Sequence, residues 1–313
     1  MRTTRLGLAL GCAALVLSGC SSSDSGTADR SRSGDAPPVD FKTPPPVTAT
    51  PTLRASTALE LPLEAYAWTD SEERTRRQGE DLLAAQCMRG YGFDLAPRPA
   101  YQGDKALRDS RRYGISDPDT ASRFGYRIDP ADRGPKPPEE NYSSAESLVL
   151  FGPQDGQGAS RTADGKTVPK GGCWAKALRD LAADGPEVRP DDEEFADQLA
   201  IFTYQESQKD PRVKKAFSAW SACMKDKGYS YKGPMDAVED PAFKNTATAS
   251  RREIQVAEAD VACKQRHNVI GVWYAVEVAY QERAVEQNQQ QLDTLKQRKE
   301  AILRTAARAG ATP

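Results

Sequence analysis

Six cysteines and a single histidine are the residues of this 313-residue chain with the most distinctive side-chain chemistry. Four of the cysteines, Cys87, Cys173, Cys223 and Cys263, lie beyond the first twenty residues, and two of these open the same short phrase. Cys87-Met88-Arg89-Gly90-Tyr91-Gly92-Phe93 and Cys223-Met224-Lys225-Asp226-Lys227-Gly228-Tyr229 share methionine at +1, a base at +2, glycine at +5 and an aromatic ring at +6. The base suits the last turn of a helix, where a cation complements the backbone dipole, and the glycine suits a left-handed exit. Each copy is followed, much later, by one more cysteine. Zinc needs closely spaced ligand pairs and a thioredoxin-type centre needs Cys-x-x-Cys; the chain has neither spacing. An even cysteine count in an exported chain favours disulfides, and four cysteines allow three connectivities. The repeat argues for pairing within each half, Cys87 with Cys173 and Cys223 with Cys263. In the chain-entropy view such closures stabilise by about 4–4.5 kcal/mol each.

Other candidates for chemistry are weaker. His267 falls four residues after Cys263 on a helical stretch, and a packed or surface histidine is favoured over a metal ligand or a triad base. Gly165-Lys166-Thr167 has the ending of a phosphate-binding loop, but the glycine needed five residues earlier is Ser160. Glu139-Glu140 and Asp191 to Glu194 offer carboxylate pairs for acid/base work, yet acids in a proline loop or at a helix start have ordinary solvation and dipole roles. Trp174, Trp220 and Trp273 each lie near a cysteine and read as packing around the staples. Asn141-Tyr142-Ser143 matches a glycosylation sequon. No catalytic residue, metal ligand set or cofactor motif is assigned.

The first twenty residues carry an address. Arg2 and Arg5 precede an apolar run from Leu6 to Leu17, too short for the roughly 20 apolar residues of a bilayer-spanning helix. These are the dimensions of a secretory signal. Leu17-Ser18-Gly19-Cys20 resembles the bacterial lipobox, which implies cleavage before Cys20 and a diacylglyceryl thioether on it. The competing reading is an ordinary cleavable signal with an incidental cysteine. Cleavage removes two of 43 basic side chains and none of the 45 acidic ones, leaving a formal balance of −4. That near balance supplies no basic field for nucleic acid.

The elements that must position the staples follow in order. Residues 20–58 are Ser-, Thr- and Pro-rich with few apolar side chains, and predict a disordered tether behind the lipidated cysteine, with a span of roughly 35 Å. Residues 59–249 predict a helical head, with a helix starting near Asp70 and ending at Gly90 or Gly92. Inside it, residues 94–172 form a proline- and glycine-punctuated insertion bracketed by Cys87 and Cys173. Ser147 to Phe151 predicts its one strand, and Thr162 to Pro169 a turn. A helix opens at Cys173-Trp174, another at the acids 191–194, and a third at Asp210-Pro211, where the cap precedes proline at the first helical position. Residues 250–313 predict a long helix with an apolar stripe through Val269, Trp273, Val276 and Tyr280. Glu286 to Gln291 interrupt that stripe, so residues 254–284 are expected to pack and the remainder to project or pair loosely. The fold class is therefore mainly α: a disulfide-stapled helical head with a long C-terminal helix and a loop-rich insertion.

The repeated Cys-Met-base-x-x-Gly-aromatic phrase resembles secreted lipoproteins of high-GC actinobacteria. So do Ala257-Glu258-Ala259-Asp260-Val261-Ala262-Cys263-Lys264 and the later Trp273, Tyr280-Gln281 and Glu286-Gln287-Asn288. The likeness is clearest over residues 211–300. It implies an extracytoplasmic address and a helical, stapled build, and it carries no site residues. The expectation is a lipid-anchored envelope protein on the outer face of the membrane, held by Cys20. Its expected role is a non-enzymatic binding or accessory module with a protein or cell-wall partner and no nucleic acid. Two alternatives stand beside it: a cell-wall hydrolase built on a carboxylate pair, and a spacer that self-associates through the long helix. A transporter-type solute receptor would alternate strands and helices, which this chain does not.

Overall fold

Thr69 and Glu72 fix the start of the first long helix by a reciprocal exchange. Thr69 Oγ1 accepts from the Glu72 N–H at 3.2 Å, and the Glu72 carboxylate accepts from the Thr69 N–H at 2.9 Å. This capping box satisfies two backbone donors that a helix start leaves open. The computed structural model of the chain describes residues 39–103, 105–132, 141–153, 162–189, 192–244 and 248–311. Within them α1 is Asp70–Arg89, α2 Lys105–Arg111, α3 Pro118–Phe124, α4 Ser144–Phe151 and α5 Gly172–Ala182. There follow α6 Phe195–Lys209, α7 Pro211–Asp226, α8 Pro234–Val238, α9 Arg251–Arg266, α10 Val269–Gln287 and α11 Gln289–Ala311. The protein is mainly helical. A two-residue antiparallel pair, β1 (Thr162–Ala163) and β2 (Lys166–Thr167), is joined through Asp164 and Gly165, both at positive φ, where the turn was expected.

The structure links Cys87 to Cys173, with Cα atoms 5.6 Å apart, and Cys223 to Cys263, at 5.8 Å. The first bond ties α1 to α5 and the second ties α7 to α9. Both copies of the repeated phrase leave their helices in the same way. The Phe93 N–H donates to Met88 O and the Tyr229 N–H to Met224 O, while Gly92 and Gly228 donate to Arg89 O and Lys225 O. Gly92 has φ 82° and Gly228 φ 88°, the left-handed geometry this closing motif requires. Each methionine is buried against the aromatic ring that ends its own phrase. The spacing +1, +5, +6 thus encodes a helix stop, and the cysteine is placed one residue before its first carbonyl.

Around the staples the helices share one another's apolar faces. α1 lies against α5 and α11, α10 against α6 and α7, and α9 against α3 and α7. Gly79 of α1 lets Ala306 of α11 approach to where a Cβ would be. Trp273 of α10 anchors the centre. Its ring meets Tyr113 at 5.0 Å, Tyr204 at 5.2 Å and Phe217 at 4.9 Å, and its indole N–H donates to Ser207 Oγ at 2.9 Å.

Three expectations are corrected. Ser147 to Phe151 is not a strand but the body of α4, because Ser143 and Glu146 form a second capping box. Val149 and Leu150 then turn toward Cys173 and Met88 at helical spacing. The tether does not run free to residue 58. Residues 39–58 lie as an extended strap along α10: Asp40 N–H donates to Gln287 and Leu53 N–H to Asn268, while Arg283 donates to Thr43 O, Arg212 to Pro45 O and Asn268 to Pro51 O. Phe41 inserts between Phe202 and Tyr280, with centroids at 5.8 and 4.6 Å. A few apolar side chains and carbonyls that face side-chain donors suffice to order a segment of low hydropathy. The span from residue 250 is three helices rather than one, with its long final helix from Gln289 to Ala311. Asn268, at φ 47°, turns the chain between α9 and α10, and Gly271 leaves no room for a side chain beneath Pro51. Asn288 makes the second break, its side-chain N–H donating to Ala284 O at 2.9 Å. Beyond it α11 does not project. Leu292, Ala301 and Ala306 are buried, the last two along its faces toward α5 and α1.

Candidate binding clefts around Trp68

Leu61 to Thr69 carry the chain from the strap to the cap of α1. Pro62 to Ala65 form one 3-10 turn on α10, where the Leu63 N–H donates to Gln281 Oε1 at 3.1 Å. Trp68 follows, half-buried, and stands directly before the Thr69 cap. Its indole is a wall shared by two clefts, together with Ala67, Ala196 and Asp197.

The first cleft, about 420 Å³, lies between α1, α5 and α11. Leu178, Leu181, Leu295 and Ile302 give it an apolar floor, and Arg76, Arg298 and Lys299 stand around Trp68. Arg76 Cζ is 5.4 Å and Lys299 Nζ 5.9 Å from the indole centroid, within the range where a cation is drawn to a ring face. Each cation is held from behind. Arg76 forks onto Glu73 at 2.9 and 2.7 Å and also binds Glu80. Arg298 donates to Pro186 O at 3.1 Å and to Glu193 at 2.7 Å. Lys299 donates to Ala67 O at 2.8 Å and to Glu72 at 3.0 Å. The Cys87–Cys173 bond joins the two helices that supply the opposite walls.

The second cleft, about 500 Å³, is more polar, with Tyr101, Arg108, Asp109, Arg112 and Gln281 facing Leu61 and Leu63. Behind it is a buried network. Arg112 binds both oxygens of Glu277, which also accepts from Tyr113 at 2.7 Å and from Gln281 at 3.0 Å. Burial works to lower the Arg112 pKa, and the Glu277 carboxylate overrides it and raises it.

Glu72 and Glu73 are held in charge pairs. Burial pushes Glu73 upward, but the hydrogen bonds from Arg76 and Arg77 hold it below its ordinary value. Glu72 is likewise held down, by the Thr69 N–H and Lys299, against burial. A general acid needs a carboxyl moved the other way. Among the described residues, Asp260 is a carboxyl that burial does push up, and it is fully buried beside the second staple.

The residues singled out from sequence fall elsewhere. Cys20 lies outside the described residues, as do Glu139, Glu140 and Asp191. His267 caps α9, and no group of His, Cys, Asp and Glu among the described residues could hold a metal ion. Lys166 donates to Gly90 O at 2.6 Å, tying the hairpin to the first helix exit. Trp174 carries Arg98 over its ring at 4.3 Å beside the first staple, and Trp220 and Trp273 are fully buried. Trp68 was legible only as an aromatic residue ahead of a Thr-x-x-Glu cap. Two disulfides are the build of a domain matured outside the cytoplasm, and no helix among the described residues is long and apolar enough to cross a membrane. No protein-family model matches the chain, and no similar curated protein or solved structure is found.

Proposed function

We propose that the chain is a non-enzymatic binding module of the cell envelope, anchored to the outer face of a membrane through lipid on Cys20, with its ligand seated at Trp68. The observation that carries the binding role is the Trp68 indole, a half-buried ring that separates two clefts of small-molecule size and holds cations at its face. Rigid walls support it, since the first staple and the α1–α11 contact fix both sides of the cleft before any ligand arrives. The address is supported by the signal-like N-terminus and by the disulfides.

The test is native mass spectrometry of the protein released from the membranes of cells that make it. Wild type is expected to retain a small molecule that Trp68→Ala loses, and the N-terminal peptide is expected to begin at a diacylated Cys20. A wild type that carries no mass beyond its own chain, or a Trp68→Ala that carries the same added mass, would remove the binding role. An unmodified N-terminal peptide would remove the anchor.

A further inference from the structure

We infer that the cleft between α1, α5 and α11 takes an anionic amphiphile, a carboxylate- or phosphate-headed molecule with an aliphatic chain; this deepens, and rests on, the reading of the Trp68 clefts as a binding site. The floor addresses the chain. Leu178 is 41 % exposed on α5, a large apolar side chain left open beside Leu181, Leu295 and Ile302. Each CH₂ buried on such a floor is worth roughly a fourfold gain in affinity. A purely polar ligand would leave that surface wet.

The walls address the head. Lys299 is only 9 % exposed, yet its ammonium has three N–H bonds and two acceptors, Ala67 O and Glu72. The third is left for an acceptor in the cleft beside Trp68. Arg179, exposed at the rim, makes no ion pair among the described residues. In all, four cations face three carboxylates here, whereas the neighbouring cleft sets two cations against four carboxylates. Arg76, Arg298 and Lys299 are already paired with Glu73 and Glu80, Glu193 and Glu72, so the pull on an anion comes from Arg179 and from the open side of the Lys299 ammonium.

The position of the cleft agrees with a lipid source. Val39 packs on the cluster that includes Tyr66, Ala196 and Leu295, which also line the cleft, so the chain leading back to Cys20 departs beside it.

The experiment titrates the mature chain, with Cys20→Ala so that no detergent is needed, against dodecanoate, dodecyl phosphate, dodecanol and dodecyltrimethylammonium. The two anions should bind at least about tenfold more tightly than the alcohol or the cation. Arg179→Glu should weaken the anions about tenfold and leave dodecanol unchanged, and Leu178→Asn, which adds no charge, should weaken all four. Both variants alter exposed side chains, and unchanged circular dichroism and melting temperature would show that the fold is kept. Equal binding of dodecanol, or no anion binding below about 1 mM, overturns the proposal. Flotation with phosphatidylcholine vesicles, with and without phosphatidylglycerol, separates the sources. Co-flotation with anionic vesicles that Arg179→Glu abolishes assigns a membrane lipid, and binding of soluble dodecyl phosphate without flotation assigns a released amphiphile; both support the shared chemistry. An unlipidated Cys20 in membrane-isolated protein would remove the envelope address and leave the titration standing. Failure of the anions to bind, with Cys20 lipidated, would remove the amphiphile and leave the address.

Discussion

Asp260 and Lys264 form an ion pair one turn apart on α9, Nζ to Oδ2 at 3.0 Å, with neither side chain touching solvent. Burial pushes the Asp260 carboxyl up and the Lys264 ammonium down, and each is opposed by the charge of the other. The remaining bonds are supplied from three other segments. Trp220 donates its indole N–H at 2.8 Å, Tyr126 its hydroxyl at 3.2 Å, and Lys264 donates to Ile115 O at 2.9 Å. The pair sits beside Cys263, and Trp220 lies three residues before Cys223, so ion pair and disulfide fasten α7 to α9 at the same place.

Breaking that pair should be costly in either direction. Lys264→Met leaves a buried carboxylate short of its cation, and a loss of about 3–5 kcal/mol is expected in urea unfolding. Asp260→Leu with Lys264→Met should not restore stability, because the Trp220 N–H, the Tyr126 hydroxyl and the Ile115 carbonyl each lose a partner. A double variant as stable as wild type would show that these three groups find water.

The staples give a second test. Peptide mapping without reduction should recover Cys87 joined to Cys173 and Cys223 joined to Cys263. Replacing Cys87 and Cys173 together with Ser should lower stability by about 2–5 kcal/mol and should also weaken any ligand of the first cleft, whose walls the bond joins. Replacing Cys223 and Cys263 should cost a similar amount of stability and leave that ligand in place.

Deletion after Ala284 should unfold or strongly destabilise the protein, since α11 covers α1 and α5. The point variant Ala306→Leu should itself lower the melting temperature, because Gly79 leaves no space for a larger side chain, and overpacking of this kind costs about 1–3 kcal/mol. Trp273→Ala, at the aromatic centre, should cost about 3–5 kcal/mol.

Acid should loosen the protein at identifiable groups. Glu72 and Glu73 are held below an ordinary value of 4.5 and Asp210 below 3.8, against burial, by their basic and backbone donors. As pH falls, the unfolded chain takes up these protons first, so the stability they contribute is complete above the ordinary values and is lost below them. The urea midpoint should therefore drop between about pH 5 and about pH 3. Arg212→Ala, which removes the partner of Asp210, should flatten part of that slope.

Much of the architecture could be read before the coordinates. Glycine, proline and capping residues mark the ends of α1, α5 and α7 because such signals act locally. The strand expected at Ser147 to Phe151 failed because an apolar run is ambiguous on its own, and the deciding Ser143–Glu146 pair lies just upstream. The strap and the breaks at Asn268 and Asn288 were hidden for a different reason. Each is set by partners roughly 160 to 250 residues apart for the strap, or by a single asparagine whose partner is a backbone carbonyl. The clefts were hidden likewise, since Trp68, Arg76, Leu178 and Lys299 share no spacing and meet only when three helices pack.

The strap also has a mechanical consequence. It runs antiparallel to α10, with residue 40 beside Gln287, Pro51 beside Asn268 and Arg54 beside Gln265. A pull at its N-terminal end therefore meets the contacts one after another, Gln287 and Arg283 first and Asn268 and Gln265 later. Each release frees a further part of the strap from α10. The load passed to the helical body is thereby limited to what one strap contact can hold at a time, so the strap peels from its helix rather than shearing off as a unit.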